Sequence, residues 1–73
     1  MRKIIFEPDA FLQYNQWGNE NKQIFNKIQK LILETTRLPF SGTGKPEALK
    51  HDLKGCWSRR ITEEHRFVYK VSD

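Results

Sequence analysis

Apolar positions recur along this chain first at helical and then at strand spacing, and the period changes near Pro39. Phe11, Tyr14 and Trp17 fall at i, i+3 and i+6, the stripe of a helix packed on one side. Pro8 fits the first turn of that helix, where its missing N–H costs nothing, and Asp9 stands favourably against the helix dipole. Gly18 is expected to close the helix as a C-cap, and Asn19 to open a second one as its N-cap. There Ile24, Ile28, Leu31 and Ile32 fall at i, i+4, i+7 and i+8, with Lys22, Gln23, Lys27, Lys30 and Glu34 off the stripe. This helix should fade over Thr35–Arg37, because both threonines are stiff at χ1 and Pro39 disfavours helix at Leu38. Ahead of both helices, Arg2 to Phe6 is rich in Ile and Phe and closed by Glu7-Pro8, which reads as a short strand.

After Pro39 the signals are those of loops and strands. Pro39 to Pro46, PFSGTGKP, is a loop in which Gly42 and Gly44 can take positive φ. It is not a nucleotide loop: its Gly-x-Gly-Lys lacks the Walker spacing and the following Ser or Thr. Ala48 to Leu53 fits a short strand or a turn. Cys56 to Ile61 and Arg66 to Val71 read as the strands of a hairpin, with Thr62-Glu63-Glu64-His65 as its turn. Alternation places Phe67, Tyr69 and Val71 on the face that the helices cover. In the simplest pairing Arg60, Arg66 and Lys70 take the opposite, open face, and a one-residue slip would exchange Arg60 for Arg59. The expected fold is α+β, with two antiparallel N-terminal helices packed on a small antiparallel sheet.

Length and charge narrow the reading. Seventy-three residues make a single domain, 1–73, near the lower limit for one core. Five Phe, two Trp and two Tyr supply the large apolar groups that so short a chain needs. Cys56 is the only cysteine, so no internal disulfide can form, which fits a reducing, cytoplasmic setting. The apolar run after Met1 breaks at Glu7-Pro8, too soon for a signal peptide, and no stretch is long enough to span a membrane. Net charge is +4, with 5 basic and 4 acidic residues in 1–36 against 8 and 5 in 37–73. A basic surplus in the second half suits a polyanion such as nucleic acid, or an acidic protein partner.

The residues that carry chemistry cluster in KPEALKHDLKGCWSRRITEEHRFVYKV, from Lys45 to Val71. If Glu47 and Lys50 reach the rim of the open face, that face offers one carboxylate ringed by cations. Such a set suits metal-free cleavage of RNA. A base takes the 2′-hydroxyl proton, cations hold the phosphate as charge builds, and an acid protonates the leaving 5′-oxygen. Glu47 is the natural base, and Arg66 the natural phosphate clamp because guanidinium binds phosphate bidentately. Lys50 and Arg60 add charge or hold the RNA backbone. Trp57 reads as core or an interface anchor, His65 as structural, and Cys56 as a small packing residue. Trp17 and Phe11 read as core, or as a dimer or partner contact if exposed. No RNP, KH or dsRBD signature is present, which argues against a generic RNA-binding domain.

The segments KPE-x-LKH, WSRRI-x-EEHR and VY-x-V closely resemble the YoeB-type toxins of the RelE-like superfamily, part of bacterial toxin–antitoxin systems, and the likeness runs over the whole sequence. The resemblance implies a RelE-like fold and a ribosome-dependent endoribonuclease that cuts mRNA in the A site without metal or other cofactor. It also implies inhibition by a bound antitoxin, and a homodimer is common in the family. By resemblance Glu47 is the general base and Arg66 the transition-state phosphate contact, supported by Lys50, Arg60 and Glu64; the strand reading adds Arg59 and Lys70 as further substrate-binding cations. Members of the family continue into a turn and a last strand ending in a His-Tyr pair, the His being the general acid. This sequence ends at Asp73, so the expectation for these 73 residues is impaired catalysis and an exposed strand edge. The runner-up reading is an inactive relative that acts only by binding antitoxin in an autoregulatory complex.

Overall fold

A computed structural model describes residues 2–72. Helix α1 spans Pro8–Glu20 and helix α2 Lys22–Arg37; strands β1, Glu47–Ala48, β2, Cys56–Arg60, and β3, Arg66–Lys70, follow, with a single 3-10 turn at His51–Leu53 before β2. Pro8 and Asp9 sit in the first turn of α1 as the sequence predicts. The helix junction lies two residues later than expected. Gly18 is inside α1, and Asn21 serves both helices: its N–H donates to Trp17 O at 3.0 Å, and its Oδ1 accepts from Ile24 N at 3.1 Å. Gly18 is instead a point of close approach, where a Cβ would lie 3.3 Å from the Phe25 ring. A small residue there lets the two helices fold back on each other across a one-residue link.

The α2 stripe packs as its spacing requires. Ile28 and Leu31 are buried and, with Ile61, form the core; Tyr14, Trp17, Ile24, Ile32 and Phe67 pack against it. Phe11, by contrast, is half exposed and meets only the edge of this layer, its ring 5.6 Å from that of Phe6. The expected strand at Arg2 to Phe6 does not form. Phe6 is held by Phe11 and Tyr14, and the Arg2 guanidinium donates to Thr36 O at 3.4 Å. Ile5 is 90% exposed. A β-rich composition becomes a strand only where a partner edge and a packed face reward it, and among the described residues no ladder reaches this segment.

The sheet is antiparallel, in the order β1-β2-β3. The β2–β3 register pairs Cys56 with Lys70, Trp57 with Tyr69, Ser58 with Val68, Arg59 with Phe67 and Arg60 with Arg66. On the other side of β2, Glu47 stands opposite Ser58 and Ala48 opposite Trp57. The segment whose pattern was compatible with strand or turn is both, as β1 ends at Ala48 and the 3-10 turn begins at His51. The hairpin turn is closed by Ile61 N and Thr62 N, both donating to His65 O. Thr62 Oγ1 accepts from the amides of Glu64 and His65 at 3.2 and 3.1 Å, so one hydroxyl fixes the turn from within.

Candidate functional site

Cross-strand partners share a face, so the register assigns every charged side chain to one side of the sheet. The outer face carries Glu47, Ser58 and Val68 in a central row. Arg60 and Arg66 form the row toward the hairpin turn, and Cys56 and Lys70 the row at the other end. The slip that would have exchanged Arg60 for Arg59 is excluded. From strand spacings, the Glu47 Cα lies about 8 Å from that of Arg60 and about 12 Å from that of Arg66. Side chains of that length can converge on one phosphodiester above the row of small Ser58. Glu47, Arg60, Arg66 and Lys70 are all exposed.

The hairpin turn restrains Arg66. Its Nη1 donates to the carbonyls of Thr62, Glu63 and His65 at 2.7, 3.1 and 3.2 Å. All three contacts with the turn run through Nη1. Glu64 lies in the same turn and is exposed, next to the Arg60–Arg66 row. Lys50 follows the last β1–β2 hydrogen bond, from Leu49 N to Cys56 O, and caps the 3-10 turn as an exposed residue. His65 packs edge-on against Trp17 with ring centroids 4.9 Å apart, and Trp57 meets Phe40 at 4.8 Å. Among the described residues no three His, Cys, Asp or Glu side chains gather closely enough to hold a metal ion, and no helix is long and apolar enough to cross a membrane.

Arg59 departs from its expected place among the RNA-facing cations. It points to the inner face and is 0% exposed, one of the largest fully buried side chains. Its five N–H groups are all satisfied. Nε donates to Tyr69 OH at 3.3 Å; Nη1 donates to Glu34 Oε2 at 3.3 Å and Thr43 O at 3.1 Å; Nη2 donates to Leu38 O and, at 2.8 Å, to Ser41 O. Tyr69 OH in turn donates to Pro39 O at 2.6 Å. A guanidinium enclosed in this way cannot touch a substrate. Strand parity pairs Arg59 with Trp57 and Ile61 on the apolar side, and a charge buried there requires a carboxylate partner. Glu34 is that partner. It was read as lying off the α2 stripe, yet it follows Leu31 by three residues and is only half exposed. That spacing was the available signal.

Comparison with known proteins agrees with the strand-by-strand picture. The family model of the YoeB-like toxin of bacterial type II toxin-antitoxin systems matches residues 6–73. Toxin YoeB of Escherichia coli K12 is 54% identical over 71 residues, 97% of this chain and 84% of that protein. A YoeB/ParE toxin from Agrobacterium tumefaciens superposes with a TM-score of 0.95 at 46% identity, covering 99% of this chain and 82% of the other. In the YoeB-YefM complex from Staphylococcus aureus, the matching chain gives a TM-score of 0.91 at 43% identity, over 100% of this chain and 85% of that one. Helix pair, antiparallel sheet and sequence thus agree from end to end of the described residues, and the chain belongs to the YoeB-like toxins of bacterial type II toxin–antitoxin systems, with their RelE-like fold.

Proposed function

We propose that this toxin is a ribosome-dependent endoribonuclease that cuts mRNA in the A site by metal-independent acid–base chemistry, in the bacterial cytoplasm. The observation that carries the reading is the sharing of one outer sheet face by a single carboxylate, Glu47, and the cations Arg60, Arg66 and Lys70. In the reaction Glu47 takes the proton of the 2′-hydroxyl. The freed oxygen attacks the adjacent phosphorus, the bond to the 5′-oxygen breaks, and a 2′,3′-cyclic phosphate is left on the upstream fragment. Arg66, anchored through Nη1, presents Nη2 and Nε to the phosphate as negative charge builds on its oxygens. Arg60 adds charge beside it, and Lys50 and Lys70 hold the flanking backbone. The resemblance assigns the proton for the leaving 5′-oxygen to a histidine of the family's last strand. Glu47 is exposed on this chain alone, so the ribosome supplies the rigid positioning that a modest base needs.

An antitoxin is the expected inhibitor, since a similar chain is found in a YoeB-YefM complex, and it acts by covering this face. The test is to add the natural full-length chain to translating ribosomes and map mRNA 5′ ends. Cuts in the A site are expected, and Glu47→Ala and Arg66→Ala should each lower single-turnover cleavage at least about a hundredfold. Absence of A-site cuts from wild type rejects the nuclease reading. Retained antitoxin binding in that case would leave a binding module instead.

A further inference from the structure

Arg59 lies one residue from the proposed RNA-facing row, on the opposite side of the sheet, and three of the five groups it bonds belong to the loop that leads to Glu47. Three of its acceptors are the carbonyls of Leu38, Ser41 and Thr43, in the loop between α2 and β1. Its fourth, Glu34, takes two weak bonds from Thr43 N at 3.2 and 3.3 Å and lies 3.4 Å from Thr43 Oγ1. The fifth, Tyr69 OH, ties Pro39 to β3. Immediately beyond, Gly44 O accepts from Arg60 N at 2.7 Å, and a Cβ on Gly44 would stand 3.0 Å from Arg60 O and 3.1 Å from the Arg59 Cβ. The loop is therefore fastened to β2 at the Arg59–Arg60 step, and only Lys45 and Pro46 separate that fastening from Glu47.

We infer that Arg59 is a positioning residue: with Glu34 as its counter-ion, it clamps the Leu38–Thr43 loop so that Glu47 is held at a fixed distance from Arg60 and Arg66 on the other face. This inference rests on the nuclease reading above. The geometry suits guanidinium and no other side chain. Five donors in a planar fork match five acceptors spread over one helix, one loop and one strand, whereas an ammonium offers three donors on a flexible stem. The loop's backbone is unusual for its length, since Gly42 and Gly44 take φ of 108° and 86° and Lys45 takes 51°. Burial serves the clamp as well, since hydrogen bonds inside the fold are not exchanged with water. A misplacement of about 1 Å in a reacting group is enough to cost about a hundredfold in rate.

The test compares Glu34→Gln and Arg59→Lys with wild type in single-turnover A-site cleavage by the full-length chain. It is run at a temperature where circular dichroism shows each variant fully folded. Glu34→Gln keeps an acceptor oxygen and the packing volume and leaves the guanidinium in place, so it is the milder of the two variants. The expected result is a fall of at least about tenfold in the maximal rate at saturating ribosome, with the half-saturating ribosome concentration unchanged. Faster hydrogen exchange at the Thr43 amide should accompany it. A purely structural role would lower the melting temperature and leave the rate of the folded fraction at the wild-type value; that outcome overturns the inference. If wild type itself makes no A-site cuts, it is the nuclease reading that fails, and the exchange measurement still decides whether Arg59 and Glu34 hold the loop.

Discussion

On the inner face of the sheet one guanidinium is enclosed by five acceptors, while one residue further along the same strand another stands in solvent beside a third. Arg59 and Arg60 have identical chemistry and adjacent places in the sequence. The pleat alone separates them, sending one side chain toward α2 and the other into solvent. The contrast shows how a small domain divides its cations. A buried guanidinium gains from fixed, saturated hydrogen bonds and organises the backbone around it. An exposed one contributes almost nothing to stability and is free to bind a phosphate. Among the described residues the buried aliphatic core is small, Ile28, Leu31 and Ile61, and the polar Arg59, Ser58 and Thr36 are buried as well.

The division can be broken at its most sensitive point by Arg59→Met. Removing the guanidinium leaves Glu34 and three loop carbonyls without their donor, a loss of about 3–5 kcal/mol. In a domain of this size that lowers the melting temperature by roughly 12–40 °C in a calorimetric scan. Gly42→Ala attacks the same clamp from the loop side. Its Cβ would lie 2.5 Å from Glu34 Oε1 at a φ of 108°, so the carboxylate must move and the backbone is strained. About 1–3 kcal/mol should be lost in urea unfolding, with an unchanged slope. Arg60→Met sharpens the comparison from the other face. It should change stability by no more than about 0.5 kcal/mol in the same measurement. Equal losses for Arg59→Met and Arg60→Met would dissolve the distinction between the two faces.

Much of this arrangement was readable before any coordinates. The α2 stripe at Ile24, Ile28, Leu31 and Ile32 named the core face, and strand alternation put Arg60, Arg66 and Lys70 together. The hairpin turn at Thr62–His65 followed from four polar residues between apolar runs. Other features depend on partners distant in sequence and were not legible. Gly18 looked like a helix end, yet the Phe25 ring makes it a packing site. Arg2 to Phe6 has strand composition and no ladder. The role of Arg59 required knowing that Glu34, 25 positions earlier, would arrive beside it. Local patterns gave the elements and their faces, whereas the clamp is a tertiary fact made of backbone carbonyls that no side-chain pattern announces.

The most direct test of the outer face as the seat of chemistry is Glu47→Gln, assayed for A-site mRNA cleavage and melting temperature on the same preparation of full-length toxin. Glutamine keeps the shape of the side chain and removes the base. The expected result is a fall of at least about a hundredfold in single-turnover rate, with stability within about 0.5 kcal/mol of wild type. Cleavage within a few-fold of wild type would show that the carboxylate facing Ser58 takes no proton in the reaction, and the proposed mechanism would be wrong.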